Sequence, residues 1–470
     1  MLAKNKIVAS ALFISFFVIS LIGQIAPIGI RYLSYDEAEP VIRASGNEAP
    51  AELTADGTNA RAAWNIWVLK ADRDIRARLE QGDEDSIVNL LLFGTSFTRQ
   101  PRMTESQMNE LSREESKTAG QVFETVLQYR LRDLVVSLAN PQRNERLRFA
   151  KTYLKKKLNV LVETGAGKKA IKEFLIQSVR RVFNESAGFA GLVEQARNNQ
   201  EDIFVVRSKL FSRRGLSSDT SLKPNLAIDN AIAQIKEKGL IKKIQRVAII
   251  GPGLDFTDKD EGYDFYPPQT LQPFAVLETL LKLDLADKSD LRIDTFDLSP
   301  KVNSHIAQFA VKAKQRESYA IQLPLNTDRI WTQEFLKYWE NFGSMITTPA
   351  NPVTTSNVPG TKLRTVNVRS EFLVKIHSFD TNIVLQSPVL PEKDRYDLII
   401  GTNIFLYYDS FGQALAMRNL EKMLKQGAFL LSNNALIEFP FTSIHAADYS
   451  RTVYSNQKND GDAIIWYQKK

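Results

Sequence analysis

The residues best suited to chemistry lie where a strand-like run, Arg246–Ile250, meets the turn Gly-Pro-Gly. Gly251 and Gly253 have no Cβ, so a ligand can approach their backbone closely. A second strand-like run ends at Asp297. Ligands of doubly wound α/β sheets bind at the carboxyl ends of the strands, where a carboxylate can accept hydrogen bonds from both hydroxyls of a ribose. The turn and the acid together indicate a nucleoside-like ligand; an ordinary glycine turn and a helix-capping aspartate are the alternatives.

The spacing between the turn and the acid argues against a dinucleotide. About 45 residues separate Gly253 from Asp297, whereas the compact dinucleotide fingerprint has roughly 20 between its glycines and its acid. The additional length is Asp258–Gln272, which includes the aromatic run Tyr263–Tyr266. Nicotinamide binding is therefore disfavoured.

The elements that position these residues alternate between strand and helix from Pro224 onward. A helix is predicted over Leu226–Lys238, with Asn225 as its N-cap, and another over about Phe411–Lys425, ended by Gly427. This alternation predicts a doubly wound, mostly parallel α/β sheet. Its seven strands are predicted at Arg246–Ile250, Leu291–Phe296, Phe372–Ile376, Tyr396–Ile400, Ala428–Ser432, Tyr449–Tyr454 and Ala463–Tyr467.

The last two strands are separated only by a polar turn, which predicts a terminal antiparallel hairpin. An insertion, 301–368, interrupts the alternation after the second strand and contains an amphipathic helix at Trp331–Phe342 and a loop at Thr347–Thr361. Because insertions here lie beside the carboxyl ends of the strands, this one is either a lid over a ligand or a surface decoration.

The amino-terminal half has a different organisation. No charged residue occurs from Ile7 to Ile30, and two lysines precede that run, so 1–30 is predicted to be a membrane anchor, with a cleaved signal peptide as the alternative. The charges flanking the run are too evenly balanced to decide which side of the membrane the chain occupies. Residues 31–60 read as a tether, and 61–224 as an all-α domain.

Composition excludes several kinds of site. The 470 residues are enough for two or three domains, and the net charge of +7 is mild for that length. The chain has no cysteine, which excludes disulfides, thiolate metal sites and cysteine nucleophiles. Its three histidines, His305, His377 and His445, lie far apart in sequence, so no metal site is predicted.

Positive charge is concentrated in the helical half. Residues 143–181 contain twelve basic and three acidic residues, a local charge of +9 against +7 for the whole chain. A solvated helical face is the ordinary interpretation, and contact with anionic lipid or an acidic partner is the functional one. Nucleic acid is not expected, because few aromatic residues are interspersed with the charges.

Three segments of the carboxyl-terminal half resemble the ordered motifs of a known family. Val247-Ala-Ile-Ile-Gly-Pro-Gly253, Thr295-Phe-Asp-Leu-Ser299 and Tyr396-Asp-Leu-Ile-Ile-Gly-Thr-Asn-Ile-Phe-Leu-Tyr-Tyr408 are similar to motifs of Rossmann-like S-adenosylmethionine-dependent methyltransferases. Within that class the similarity is nearest to the chemotaxis-receptor methyltransferases, with Thr402 in place of an arginine. The resemblance covers 241–470, whereas the amino-terminal half resembles uncharacterised bacterial proteins.

The resemblance implies S-adenosylmethionine as the cofactor and a role for individual residues. Asp297 would bind the ribose, Asn382 would contact the adenine, and Asn403 would line the cofactor near its sulfonium. The acid that usually precedes the first glycine is replaced by Ile249, and we hypothesise that Asp255 substitutes for it. The implied cofactor-binding residues are Gly251, Pro252, Gly253, Asp255, Asp297, Leu298, Asn382 and Asn403; no catalytic residue is implied.

Three functions are compatible with this sequence. The first is a membrane-anchored methyltransferase that acts on an unidentified protein or small-molecule acceptor. The second is a methyltransferase fold retained without catalysis, as a binding or scaffold protein at the cell envelope. The third is an enzyme that uses a different adenosine-containing ligand. Fold and function separate readily in such scaffolds, so these alternatives must be decided at the site itself.

Overall fold

The computed structural model describes residues 28–54, 59–103, 107, 117–199, 211–212, 214–352, 354–356 and 358–470. The membrane anchor was predicted at 1–30, and its residues 1–27 lie outside the described residues. None of the helices in the described ranges is both long and apolar enough to span a bilayer.

A seven-stranded sheet forms the centre of the carboxyl-terminal half. Its strands are β2 (Arg246–Ile250), β3 (Arg292–Asp297), β7 (Ile376–Asp380), β9 (Tyr396–Ile400), β10 (Leu424–Ser432), β11 (Ile444–Val453) and β12 (Gly461–Lys469). They are arranged in the order β11-β12-β10-β9-β2-β3-β7. Only β12 is antiparallel to its neighbours, β10 and β11, and the other adjacent pairs are parallel. This confirms a doubly wound sheet with a terminal antiparallel hairpin.

Both faces of this sheet are covered, which explains why its central strands are almost continuously apolar. Val247 and Ile249 point into one core, packed against α7 (Lys223–Glu237), α8 (Gln272–Lys282) and α9 (Pro300–Lys314). Ala248 and Ile250 point into a second core, beneath α12 (Ser410–Met423). Successive residues of a strand face opposite sides, so one short strand contributes to both cores.

The insertion forms a small sheet of its own. Strands β4 (Tyr319–Asn326), β6 (Thr361–Val368) and β5 (Thr347–Ala350) pair antiparallel in that order, and α10 (Gln333–Asn341) packs beside them. The predicted helix is thereby confirmed, and part of the predicted loop is β5. Ile321 and Leu323 are fully buried in the first core, so the insertion extends that core instead of lying loosely on the surface.

Residues 31–60, predicted as a tether, are largely folded in the structure. They contain β1 (Ile30–Tyr32), α1 (Tyr35–Ser45) and α2 (Ala51–Thr54). Strand β1 pairs with β8 (Gln386–Pro388), and Val41 is completely buried in the second core. The tether prediction is wrong for this stretch because the Ser34–Glu37 capping box starts a helix whose apolar face has a core to cover.

Among its described residues, the rest of the amino-terminal half contains four helices: α3 (Ala60–Phe93), α4 (Lys117–Ala139), α5 (Glu145–Leu158) and α6 (Gly165–Asn198). They enclose a third core, in which Leu131 and Leu175 are fully buried. This core also contains Phe256, from the loop after β2. The helical half therefore packs directly against the segment that follows the glycine turn.

Two further element predictions are corrected. The third strand was predicted at Phe372–Ile376, but a helical turn, α11 (Ser370–Leu373), buries Phe372 there and strand β7 begins at Ile376. Short apolar runs do not distinguish a strand from a buried helical turn. Gly427 does not end α12; the helix stops at Met423, and Gly427 lies inside β10 with φ +76°.

Candidate functional site

A cavity, called the main cavity below, lies at the carboxyl ends of β2, β3 and β9. It has a volume of about 480 Å³. The strand order reverses between β2 and β9, and this switch point is where ligands of doubly wound sheets bind. Five of the eight residues predicted to bind a cofactor line the cavity: Gly251, Gly253, Asp297, Leu298 and Asn403.

Asp297 ends β3, and its carboxylate is held in one orientation. The main-chain amide of Ser299 donates a 2.7 Å hydrogen bond to Oδ1. Burial raises the pKa of Asp297 to about 6, against the opposing influence of the amides of Ser299 and Gly253 and of the charge of Lys301. Asp297 therefore offers the cavity a hydrogen-bond acceptor in a fixed position.

The two glycines adopt backbone conformations that other residues rarely adopt, since each has φ near +65°. The protein itself approaches them closely. A Cβ on Gly251 would lie 2.2 Å from Cδ1 of Ile404, and a Cβ on Gly253 would lie 2.6 Å from the carbonyl oxygen of Ser218. Pro252, between them, is buried and does not line the cavity. Both glycines are thus required by close protein packing, whatever ligand is bound.

Asn403 is at the cavity rim beyond β9. Its backbone is left-handed, with φ +59°. Its Oδ1 accepts a 2.8 Å hydrogen bond from Nδ2 of Asn433. In return, the main-chain amide of Asn403 donates a 2.8 Å hydrogen bond to Oδ1 of Asn433. These paired contacts fix the orientation of Asn403. Nearby, Nε2 of Gln272 donates to the hydroxyl of Thr402 at 3.1 Å.

Asp255 is not brought into the main cavity. It lies in a separate cavity of about 50 Å³. Its carboxylate accepts hydrogen bonds from the hydroxyl of Tyr266 at 2.6 Å and from Nε2 of Gln269 at 3.2 Å. Burial raises the pKa of Asp255 to about 6, while Arg146 acts in the opposite direction. The structure does not place Asp255 where it would compensate for the acid missing at Ile249.

Asn382 is also outside the main cavity. It is completely buried. Its Nδ2 donates to Oδ1 of Asp72 at 2.8 Å, and its Oδ1 accepts from the amide of Val384 at 3.2 Å. Asn382 therefore joins α3 to the loop after β7, and the neighbouring Thr381 lines the cavity instead.

Sequence reasoning missed a second wall of the cavity. Residues 216–221, together with Pro224 and Asn225, run from the helical half into α7 and line this wall. Asn225, predicted as an N-cap, lies inside α7, with Pro224 at the start of that helix. A short Ser-rich segment resembles any loop, so nothing in the sequence indicated that it would cross a ligand cavity.

Several polar atoms around the cavity are buried without a hydrogen-bond partner. They include Oγ1 of Thr381, Oγ1 of Thr257, Oδ1 of Asn225 and Oδ2 of Asp219. Buried polar groups normally have partners, so unpartnered ones facing a cavity indicate a polar ligand. No group of acidic or histidine side chains suited to a metal occurs among the described residues.

Comparisons with known proteins leave the family open. No protein-family model matches the chain, and no curated protein matches it. Among solved structures, it is similar to the magnesium protoporphyrin IX methyltransferase of Synechocystis PCC 6803 with S-adenosylmethionine bound, at 10% identity and a TM-score of 0.24, covering 57% of this chain and 84% of the other.

Two other solved structures give similar values. The carbon methyltransferase CurJ has 12% identity and a TM-score of 0.23, covering 92% of this chain and 99% of the other. An O-methyltransferase family protein from Burkholderia thailandensis has 8% identity and a TM-score of 0.21, covering 86% and 97%. Similarities this low say nothing about activity. The function proposed below is argued from the chain's own residues.

Proposed function

We propose that the chain is an S-adenosylmethionine-dependent methyltransferase whose cofactor binds in the main cavity. One observation carries the proposal: the cavity at the switch point brings Asp297 together with Gly251, Gly253 and Asn403, in the order that the sequence motifs require. Its volume of about 480 Å³ falls within the range of roughly 300–1,000 Å³ that is usual for small-molecule sites.

The residues of the cavity fit such a cofactor. Asp297 would accept hydrogen bonds from the ribose hydroxyls, with its carboxylate held in place by the amide of Ser299. The unpartnered hydroxyl of Thr381 would meet a polar group of the nucleoside, and Leu298 would contact its apolar surface. Asn403 would lie along the cofactor beyond β9.

The bound cofactor would supply an electrophilic methyl group on its sulfonium. The chain would contribute positioning, which can lower a barrier by up to roughly 7–11 kcal/mol when the geometry is ideal. Such a reaction needs no nucleophile from the protein. The absence of cysteine therefore does not count against it.

Calorimetric titration of the full chain with S-adenosylmethionine tests the proposal. We expect binding by the wild type and at least about tenfold weaker binding by Asp297→Ala, a loss of about 1.4 kcal/mol. Asp394→Ala is the matched control, because Asp394 pairs with Arg246 at the amino end of β2, away from the cavity. Equal affinity in all three proteins would show that the cofactor does not bind at Asp297.

The second candidate, a methyltransferase fold kept as a binding or scaffold module, is favoured by one observation. Ile404 covers Gly251, and Ser218 covers Gly253, so the protein itself occupies space next to the turn. In that case neither the wild type nor Ile404→Ala, which opens the space, would bind S-adenosylmethionine at millimolar concentration. Binding of S-adenosylmethionine by the wild type would exclude the scaffold candidate and show that the covered glycines do not block the cofactor.

A further inference from the structure

One end of the main cavity is lined by aspartates that do not belong to the cofactor motifs. Asp219 comes from the connection into α7, and Asp258 and Asp260 come from the loop after β2. With Asp297, four carboxylates line the cavity, against one lysine, Lys259, among the described lining residues. A cavity with this balance of charge favours a cationic ligand.

Main-chain hydrogen bonds bring these two segments together. The amide of Leu254 donates to the carbonyl of Ser218 at 2.7 Å, and the amide of Thr220 donates to the carbonyl of Leu254 at 3.0 Å. Asp219 therefore lies between the two paired residues, and Asp258 follows four residues after Leu254. The arrangement is a fixed part of the fold, because backbone bonds hold it.

The unpartnered carboxylate and amide oxygens at this end are hydrogen-bond acceptors. Oδ2 of Asp219 and Oδ1 of Asn225 are buried without partners. Asn225 is 2% exposed, and its Nδ2 donates to the carbonyl of Ser221 at 3.2 Å, which leaves the amide oxygen as the unpartnered atom. Acceptors at a buried site require a ligand that donates hydrogen bonds.

Lys223, which lies beside this end, is paired with two other carboxylates. Lys223 pairs with Asp260 and, at 3.0 Å, with Asp460. Lys259 is exposed. Asp219 and Asp258 are therefore the carboxylates that remain to meet a ligand's charge. An ammonium group has three donors and one positive charge, and both properties match this set of acceptors.

We infer that the methyl acceptor is an alkylamine, whose ammonium group binds between Asp219, Asn225 and Asp258. This inference rests on the proposed function. The cofactor is assigned to the strand ends at Gly251 and Asp297, whereas Asp219 and Asp258 belong to loops, where substrate specificity usually resides, and Asn225 lies in the first turn of α7. Because Ser218 contacts Gly253, Asp219 is close to the glycine turn, and the two ligands would lie next to each other in one cavity.

The same residues can prepare the amine for reaction. An ammonium nitrogen has no lone pair, so one N–H bond must break before the nitrogen can act as a nucleophile. The Asp258 carboxylate would take that proton and become a carboxylic acid, leaving a neutral amine with its lone pair. Asp219 would keep the nitrogen in place through a hydrogen bond from a remaining N–H.

A titration of the full chain with 1,4-diaminobutane, without nucleoside, tests the ammonium site directly. The matched probe is 1,4-butanediol, which has similar length and no charge. We expect the diamine to bind at millimolar concentration or tighter and the diol not to bind. Asp219→Asn and Asp258→Asn should each weaken diamine binding at least about tenfold, while Asp287→Asn, which removes a surface carboxylate paired with Lys243, should not.

Thermal unfolding of each variant confirms that it is folded. Equal binding of diamine and diol, no diamine binding by a folded wild type, or unchanged affinity in both Asp219→Asn and Asp258→Asn would overturn the inference.

A second comparison separates the acceptor's ammonium from that of the cofactor. Asp219→Asn is titrated with S-adenosylmethionine and with methylthioadenosine, which lacks the ammonium group. We expect both affinities to equal those of the wild type. Loss of S-adenosylmethionine binding alone would mean that Asp219 holds the cofactor, which overturns the assignment to an acceptor. Diamine binding by a wild type that does not bind S-adenosylmethionine would refute the proposed function while the ammonium site stands.

Discussion

The buried guanidinium of Arg146, on α5, donates a 2.9 Å hydrogen bond to the main-chain carbonyl of Asp255, in the loop after β2. It donates also to the carbonyls of Phe256 and Tyr266. One side chain of the helical half thus holds three carbonyl groups of the segment that follows the glycine turn. Arg146 is one of the basic residues at 143–181, so part of that positive charge is structural.

Replacing Arg146 should be strongly destabilising. Arg146→Met leaves three buried carbonyl oxygens without a donor, and each such loss costs roughly 1–3 kcal/mol. We expect the free energy of unfolding, measured with urea, to fall by about 3 kcal/mol or more. Arg148→Met, at an exposed position on the same helix, should change it by less than about 0.5 kcal/mol. Similar values for the two variants would contradict the structural role of Arg146.

The cost of a side chain at Gly251 can be divided into two parts. Gly251→Ala combines an unfavourable φ of +65° with a clash against Ile404, whereas Gly427→Ala has φ +76° and no atom within 4 Å. We expect Gly251→Ala to destabilise the chain by at least about 1 kcal/mol more than Gly427→Ala. The double variant Gly251→Ala/Ile404→Ala should recover part of that difference. Without such recovery, Ile404 is not the cause.

Replacing Asn382 should lower the stability of the chain and leave its affinity for S-adenosylmethionine unchanged. Because its amide bridges Asp72 and Val384, Asn382→Ala should destabilise the chain by roughly 1–3 kcal/mol. A double-mutant cycle with Asp72→Ala should give a coupling energy of at least about 0.5 kcal/mol. The affinity for S-adenosylmethionine, measured well below the unfolding temperature, should change by less than about twofold. If Asn382→Ala instead greatly weakened S-adenosylmethionine binding and showed no coupling to Asp72→Ala, the predicted contact between Asn382 and the adenine would be supported.

Three carboxyl groups with raised pKa values, one buried and two half-buried, contribute to the pH dependence of stability in an unusual direction. Burial raises the pKa of Asp255 and Asp297 to about 6 and that of Asp258 to about 7, from the ordinary 3.8. Each of these three groups therefore binds more protons in the folded chain than in the unfolded chain between about pH 4 and 7, and its contribution to stability falls as pH rises through that window. Urea unfolding should give a shallower fall for Asp255→Asn than for the wild type; parallel curves would contradict this account.

The exposed lysines of the basic region 143–181 are predicted to bind anionic lipid. Lys155, Lys156 and Lys172 are exposed, and we expect the chain without residues 1–27 to bind vesicles containing phosphatidylserine. Lys155→Glu/Lys156→Glu should reduce that binding at least about fivefold, since each basic residue near an anionic surface contributes about 1 kcal/mol. Binding that is equal with neutral vesicles would exclude this electrostatic contact.

Much of the carboxyl-terminal fold was predictable because its strands are short apolar runs bounded by turns. Strands β2, β3, β9, β10 and the final hairpin all lie where those runs are. The strand β7 was misplaced because Phe372 begins an equally apolar run, and tertiary packing made it a helical turn. The folded stretch 30–54 was missed because its acidic surface hides only a few buried apolar residues.

The candidate site was predictable only where backbone position determines function. Gly251, Gly253 and Asp297 follow strand ends, so sheet topology alone brings them together. Asp255 was predicted to bind the cofactor because it follows the glycine turn, but its position in sequence does not show which way its side chain points. Asp219 and Asn225 could not be predicted, since they reach the cavity through a crossing that depends on Gly82, where even a Cβ would lie 1.9 Å from the carbonyl oxygen of Leu216.

That crossing has a consequence for how the chain acquires its cavity. Leu79, on α3, and Asp219 line the same space although more than a hundred residues separate them in sequence. The cavity is therefore complete only when the helical half and the sheet are packed against each other. A ligand that fills the cavity would then hold both halves in one cooperative unit, and saturating ligand should make them melt together.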